Sequence, residues 1–128
     1  MIKEFATYLA TGLELTVGQS LFAGHVPEGE PDLCTVILER TPAYSEPGLR
    51  RHREWHFQLY TRGASYFAAR TEAHRVFDWA LGKRGVLLPS WFIVSITGSA
   101  PGFIGPDASG RASFSANLSL PAHKREGG

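Results

Sequence analysis

The stretch that decides the fold is residues 53–81, REWHFQLYTRGASYFAARTEAHRVFDWAL, because its hydrophobic period changes partway along. Residues 53–60 alternate between apolar and polar side chains, which indicates a half-buried β-strand. After a break predicted at residues 61–63, apolar side chains recur at helical spacing. They are Tyr66, Ala69, Ala73, Val76, Phe77, Ala80 and Leu81. The pattern therefore predicts a strand followed by an amphipathic helix, capped by Ser65 and ended by Gly82.

The remaining elements follow from the same periodicities. Helical spacing predicts a first helix over residues 2–10, with Gly12 placed to stop it. A short extended piece is expected near residues 20–24, and apolar runs at 33–39 and 91–97 predict interior strands. Residues 112–120 alternate again, with a small, polar side expected to face solvent. Proline and glycine predict loops at residues 25–32, 40–49 and 100–110.

These elements give the order α-β-β-β-α-β-β. We expect an α+β fold in which two helices pack on one face of a mostly antiparallel sheet of four to five strands. Length favours a single domain, which we assign to residues 1–120. Residues 121–128 are expected to form a flexible C-terminal tail.

Composition excludes several classes of protein. No apolar run reaches the roughly 20 residues that a membrane helix needs, and the first residues lack the apolar core of a signal peptide. We therefore expect a protein that stays inside the cell and makes no membrane contact. Cys34 is the single cysteine, so no internal disulfide can form, and its apolar surroundings predict a buried side chain.

Charge is distributed unevenly along the chain, although the net charge is only +1. Residues 1–49 contain two basic and seven acidic side chains, whereas residues 50–84 contain eight basic and three acidic ones. Such a division suits head-to-tail self-association, in which one patch meets a different patch on its neighbour. The alternative is that both sets mix on the folded surface and cancel.

Candidate catalytic and metal sites are weak. His52, Glu54 and His56 would share one face of a strand, but the two histidines would lie about 13 Å apart, too far for one ion. Residues 82–85 lack a phosphate-loop pattern, and no serine lies in a nucleophile elbow. We expect no catalytic residue, no metal and no cofactor.

The basic run at residues 50–53 is the strongest candidate contact. It could touch a phosphate backbone, dock on an acidic protein surface, or be solvated. Tyr44, shortly before it, adds an aromatic side chain that could anchor a contact. The candidate subunit or partner interface consists of Tyr44, Glu46, Arg50, Arg51, Arg53 and His56.

Three segments, in order, resemble the tail terminator and minor capsid (tail-completion, head-tail joining) proteins of long-tailed bacteriophages. The first is residues 24–27 (GHVP) with Pro31 and Asp32, before the apolar strand at 35–39. The second is residues 57–63 (FQLYTRG) with the following helix, in which the Arg-Gly pair would form a turn. The third is residues 104–107 (IGPD), followed by Gly110, Arg111, Phe114 and Asn117. The resemblance covers roughly residues 1–120.

The resemblance implies a non-enzymatic virion protein that forms a ring, commonly a hexamer. Such a ring caps the tail tube, ends its polymerisation and provides the surface that joins the head. The implied partners are further copies of the chain, the tail tube protein and a head-completion or connector protein, with DNA passing through the lumen. The implied location is the head-tail junction of the virion, assembled in the cytoplasm of the bacterial host.

Two alternatives stay open. One is a small α+β adaptor or binding module that uses the basic run to contact protein or nucleic acid. The other is a small enzyme with a site around His52, Glu54 and His56.

Overall fold

The computed structural model describes residues 1–44 and 52–125, with the backbone alone for residues 41–44. Within these residues the chain forms two helices and seven strands. In chain order they are α1 (Ile2–Leu13), β1 (Leu21–Ala23), β2 (Cys34–Tyr44), β3 (His52–Gly63), α2 (Tyr66–Ala80), β4 (Arg84–Leu87), β5 (Trp91–Ser95), β6 (Thr97–Pro106) and β7 (Ala112–Lys124). The fold is α+β, as predicted, but the order α-β-β-β-α-β-β and the four to five strands were wrong.

All strands belong to one sheet with the order β1-β2-β3-β7-β5-β4, and β6 also pairs with β7. Every pair is antiparallel except β1 with β2. The central pair, β3 and β7, is continuous from His52 opposite His123 to Gly63 opposite Ala112. On the side of β7 away from β3, β5 pairs with its C-terminal end and β6 pairs with the rest of the strand. The long strand β7 therefore has partners along both of its edges.

Both helices pack against the same core as the sheet. Apolar residues of α1, α2, β3 and β7 form one buried cluster that includes Phe5, Leu9, Phe57, Val76 and Leu118. The rings of Phe5 and Phe57 stack with their centroids 5.5 Å apart. Burial of these side chains, at about 25 cal/mol per Å² of apolar surface, is the main force that holds the helices on the sheet.

The predicted boundaries of α2 are confirmed. The Ser65 hydroxyl accepts a hydrogen bond from the Ala68 amide (3.1 Å), which satisfies an N-terminal amide that lacks a helical partner. Gly82 follows the C-cap with φ +83°, a conformation that suits glycine. Five members of the predicted stripe are buried, whereas Tyr66 and Leu81 remain exposed.

The predicted break at residues 61–63 is wrong, because β3 continues to Gly63. Thr61, Arg62 and Gly63 pair with β7, and the Thr61 hydroxyl shares a 2.9 Å hydrogen bond with Thr35 on β2. The Arg-Gly pair therefore does not form a turn. Pairing on both sides of the strand determines the conformation here, and turn propensity does not.

The first helix runs past the predicted stop at Gly12. It ends at Leu13, and the left-handed residue that caps it is Glu14, with φ 57°. Gly12 lies inside the helix, and the Trp79 ring occupies the space that a side chain at this position would fill. The glycine allows α1 and α2 to approach closely, so its role is packing.

The sequence periodicities did not predict β4 and β6. Residues 100–106, predicted as loop from their prolines and glycines, lie in β6 because β7 offers a partner for their backbone. β7 itself continues to Lys124, so it includes the first four residues of the segment predicted as a tail. Ala122, one of these, is fully buried.

Neither of the helices within residues 1–44 and 52–125 combines the length and the apolar character needed to cross a bilayer.

Candidate interaction surfaces

The structure describes only part of the interface predicted around the basic run. Glu46, Arg50 and Arg51 lie outside the described residues. Tyr44 is the last residue of β2 and pairs with Glu54, although its side chain is not described. The remaining two members, Arg53 and His56, belong to β3 and are both partly exposed, but they lie three positions apart and therefore face opposite sides of the sheet.

The predicted alignment of His52, Glu54 and His56 on one face agrees with their positions in β3, but each lies opposite a β7 residue. His52 packs against His123, with ring centroids 5.0 Å apart, and His56 Nδ1 lies 3.1 Å from the Ser119 hydroxyl. Among the described residues, no three or more histidine, cysteine or acidic side chains are placed to hold a metal ion.

Polar side chains on the face of β7 that was predicted to be solvated form hydrogen bonds with side chains of β3. Gln58 donates to the Ser115 hydroxyl at 2.6 Å, and the Tyr60 and Ser113 hydroxyls lie 2.8 Å apart. Ser113 is buried, contrary to the prediction, while Asn117 is exposed. These cross-strand bonds satisfy polar groups that are buried or partly buried between the two strands.

Arg62 fixes the loop between β1 and β2. Its side chain is only 1% exposed, and its guanidinium donates to the carbonyl oxygens of Pro27 (2.7 Å), Gly29 (3.1 Å) and Pro31 (2.9 Å). Burying a guanidinium costs several kcal/mol, so the charged hydrogen bonds are needed to offset its loss of water. The backbone of residues 27–31 is therefore held in one conformation.

Arg111, on the turn that joins β6 to β7, braces the same loop. It donates to the Gly29 carbonyl oxygen and lies 3.6 Å from the Asp32 carboxylate. Asp107 in turn accepts from the Arg111 guanidinium at 2.8 Å and from the Ser109 and Arg111 amides. Partial burial would raise the pKa of Asp107, but these hydrogen bonds outweigh it and lower that pKa below its ordinary value.

We call residues 27–32, held by Arg62 and Arg111, the clamped loop. Its backbone faces the two arginines, while the side chains of Glu28, Glu30 and Asp32 are exposed. The arrangement presents three carboxylates to solvent on a fixed backbone.

Cys34 is fully buried opposite Arg62, which confirms the expectation of a buried side chain. Burial raises the pKa of its thiol, and the nearby positive charges of Arg62 and Arg111 oppose that rise only in part. A thiol with a raised pKa and no access to solvent is a poor nucleophile, so the site offers no thiol chemistry.

Exposed aromatic side chains lie at the same end of the sheet. Tyr66 contacts Phe67, Phe103 and the buried Phe114, all with ring centroids within 5.5 Å of a neighbour. Phe67 is 75% exposed, and Phe103 and the adjacent Ile104 are also exposed. We call Tyr66, Phe67, Phe103 and Ile104 the aromatic patch, and a cluster of this kind is typical of a protein contact surface.

Neither the clamped loop nor the aromatic patch was predicted from sequence. Arg62 was interpreted as a turn residue, and nothing in the local pattern links it to prolines more than thirty positions earlier. Phe103 was assigned to a loop. Both surfaces form only when β3, β6 and β7 pair. The spacing of residues along the sequence therefore could not predict them, and the residue types, arginine and phenylalanine, were the only indication of a contact.

Comparison with known proteins gives matches among solved structures alone. No protein-family model matches the chain, and no curated protein matches its sequence. The structure is similar to a chain in a solved structure described as "Virion of native gene transfer agent (GTA) particle", with a TM-score of 0.59 and 15% sequence identity. The match covers 90% of this chain and 84% of that chain. The two chains share a fold. The likeness thus extends over nearly the whole of both molecules.

Proposed function

We propose that this chain is a structural protein of a phage-like virion. The observation that carries the proposal is the shared fold with a chain of an assembled gene transfer agent particle, over 90% of this chain. The resemblance of residues 1–120 to tail terminator proteins supports the same class, and it was inferred from sequence alone.

More specifically, the proposal is that copies of the chain form a ring, most simply a hexamer, that caps the tail tube and ends its polymerisation. The opposite side of the ring would join the head through a head-completion or connector protein, and DNA would pass through the lumen. A ring requires heterologous contacts, in which two different surfaces of the same chain meet. The opposite charges of residues 1–49 and 50–84 suit such contacts.

The proposed interface of this ring includes Tyr44, Glu46, Arg50, Arg51, Arg53 and His56. Tyr44, Arg53 and His56 belong to the half of the β2–β3 hairpin that lies farthest from the clamped loop. Positive charge here would meet acidic groups on a neighbouring copy or on the tube.

The experiment that tests the proposed function is a measurement of mass in solution, by light scattering across concentration and salt series, with and without purified tail tubes. We expect a mass near six subunits, either in solution or on the end of the tube. A chain that stays monomeric and does not bind the tube would contradict the proposal.

A variant with Arg50, Arg51 and Arg53 changed to Glu tests the interface separately. We expect both assembly and tube binding to be lost, while circular dichroism and the melting temperature show that the fold is kept. If assembly and tube binding are unchanged, the basic residues are not part of the interface.

A further inference from the structure

Two histidines meet on the face of the sheet that points away from the two helices. His52 on β3 and His123 on β7 are direct partners in the strand register, and their ring centroids lie 5.0 Å apart. On the same two strands, Phe57 and Leu118 are buried in the core with the helices. Each histidine lies five positions from the buried residue of its own strand, so both histidines point to the opposite face. His123 is exposed there and His52 is partly exposed.

The separation of the two rings suits one shared metal ion. A zinc ion lies about 2.0–2.1 Å from each histidine nitrogen that binds it. Two imidazoles bound to such an ion at a roughly tetrahedral angle have ring centroids about 5 Å apart. The observed 5.0 Å between the rings of His52 and His123 agrees with this distance. Binding of one ion by both side chains therefore requires rotation of the rings and no shift of the strands.

The sheet holds the two side chains together before any ion arrives. β3 and β7 pair without a register shift from His52 opposite His123 onward, and His123 is also paired with Phe92 on β5. Directly opposite residues of an antiparallel pair have Cβ atoms about 4.5–5.5 Å apart. The two histidines lie far apart along the chain, so only the folded protein offers both. Ligands that are preorganised in this way bind with little loss of conformational entropy.

One ring nitrogen of this pair lacks a partner. Nδ1 of His52 is buried, and it has no hydrogen-bond partner among residues 1–44 and 52–125. His56, on the same face of β3, differs in this respect, because its Nδ1 lies 3.1 Å from the Ser119 hydroxyl. Buried polar atoms in folded proteins normally have a partner, and an atom without one calls for an explanation such as a bound ion. A metal ion held between the two rings would supply the missing interaction.

The charged neighbours of the pair allow a cation to bind. Glu54 lies on the same face of β3, two positions from the first histidine. Arg125 follows β7, but its guanidinium donates to a carbonyl oxygen of the β4–β5 turn at 2.6 Å. Arg53 and Lys124 are adjacent to the histidines in sequence and therefore face the other side of the sheet. One carboxylate and one engaged guanidinium thus balance, so the imidazoles determine what binds.

We propose that His52 and His123 bind a divalent transition-metal ion of the zinc, nickel and copper class. Imidazole nitrogens suit these ions, whereas magnesium and calcium require oxygen ligands. No third histidine, cysteine or acidic side chain of the described residues is placed to complete the site, so water fills the remaining positions. The ion joins the start of β3 to the end of β7. This inference goes beyond the proposed function and does not depend on ring formation.

Titration calorimetry of the untagged chain with zinc chloride tests the site. We expect one zinc ion per chain and no binding of magnesium chloride. His52→Gln and His123→Gln each remove one imidazole and keep a polar side chain, so each should weaken zinc binding about tenfold or more. His74→Gln, at a partly exposed position of α2, is the matched control and should bind zinc as the wild type does.

Melting temperatures provide a second measurement. An ion that binds only the folded state stabilises it, so excess zinc should raise the melting temperature of the wild type and of His74→Gln. The rise should be absent in His52→Gln and His123→Gln. Each variant is compared with itself in EDTA, so a loss of stability caused by the substitution alone does not affect the result.

Nuclear magnetic resonance separates the proposed site from adventitious binding. Zinc should shift the imidazole signals of His52 and His123 and leave those of His25 and His74 in place. A wild type that binds no zinc, or histidine variants that bind it as tightly as the wild type, would overturn the proposal. Equal affinity for zinc and magnesium, or shifts spread evenly over all histidine signals, would overturn it as well.

Discussion

Gly63 and Ala69 are in direct contact where β3 passes into α2: a side chain on Gly63 would begin only 2.9 Å from the backbone nitrogen of Ala69. The neighbouring atom belongs to the backbone of the first turns of the helix, so it cannot move aside without shifting α2. The glycine therefore determines how closely α2 lies on the sheet, and with it the position of the aromatic patch at the start of the helix.

Replacing this glycine should destabilise the protein. We expect Gly63→Ala to lower the free energy of unfolding by about 1–3 kcal/mol, because overpacking forces the backbone to shift. Gly102→Ala in β6 is the control, since nothing lies within 4 Å of an added side chain and its φ is not positive. That variant should stay within about 0.5 kcal/mol of the wild type in urea denaturation. Equal effects at the two positions would contradict the close contact.

The clamped loop should lose its fixed conformation when Arg62 is replaced by lysine. A single ammonium cannot reach three carbonyl oxygens in the geometry of the guanidinium fork, so Arg62→Lys should cost about 2–3 kcal/mol of stability. Amide exchange at residues 28–30 should become faster at the same time. Arg70→Lys, at an exposed position on α2, is the control and should change neither quantity. Unchanged exchange in the loop would show that other contacts hold it.

Asp107 should give the protein a pH-dependent contribution to stability. Hydrogen bonds from Arg111 and Ser109 favour the ionised carboxylate, so its pKa lies below the ordinary value of 3.8 in the folded state. The contribution is complete above the unfolded pKa and is lost as pH falls through the lower, folded pKa. The wild type should thus be more stable than Asp107→Asn near neutral pH, and the difference should shrink as pH falls below 3.8. Asp78→Asn, at an exposed position of α2, is the control variant. A stability difference between the wild type and Asp107→Asn that stays constant with pH would exclude this role for Asp107.

Ser65 should contribute to the stability of the protein only through its N-cap hydrogen bond to α2. Ser65→Ala removes the hydroxyl that accepts from the Ala68 amide and should cost about 1 kcal/mol. Ser65→Asp keeps an acceptor and should recover most of the stability. Ser99→Ala, at an exposed position of β6, should have little effect on the melting temperature. The cap would be disproved if the alanine and aspartate variants melted alike.

Much of the fold could be predicted because local patterns agree with the final environment. The alternation around Trp55, Phe57 and Leu59 predicted β3, and helical spacing with Ser65 before it predicted α2 with its correct ends. The burial of Cys34 followed from its apolar neighbours. At these positions the hydrophobic effect and local capping favour the same conformation.

The errors occurred where tertiary contacts override local preference. Gly12 was expected to end a helix, but the space it leaves is filled by Trp79. Residues 61–63 were expected to turn, but all three pair with β7, and Thr61 and Arg62 also pair with β2. β6 was hidden by its prolines and glycines, which suit an irregular edge strand as well as a loop.

The sequence by itself determined the α+β class, the central strand and helix, and the separation of charge along the chain, because these depend on periodicity and composition. Only the tertiary structure decided that Arg62 lies buried against Pro27, Gly29 and Pro31, and that aromatic side chains from α2 and β6 meet. The reason is physical: these contacts join residues tens of positions apart, and strand pairing brings them together. The clamped loop and the aromatic patch were therefore fixed by the register of the sheet.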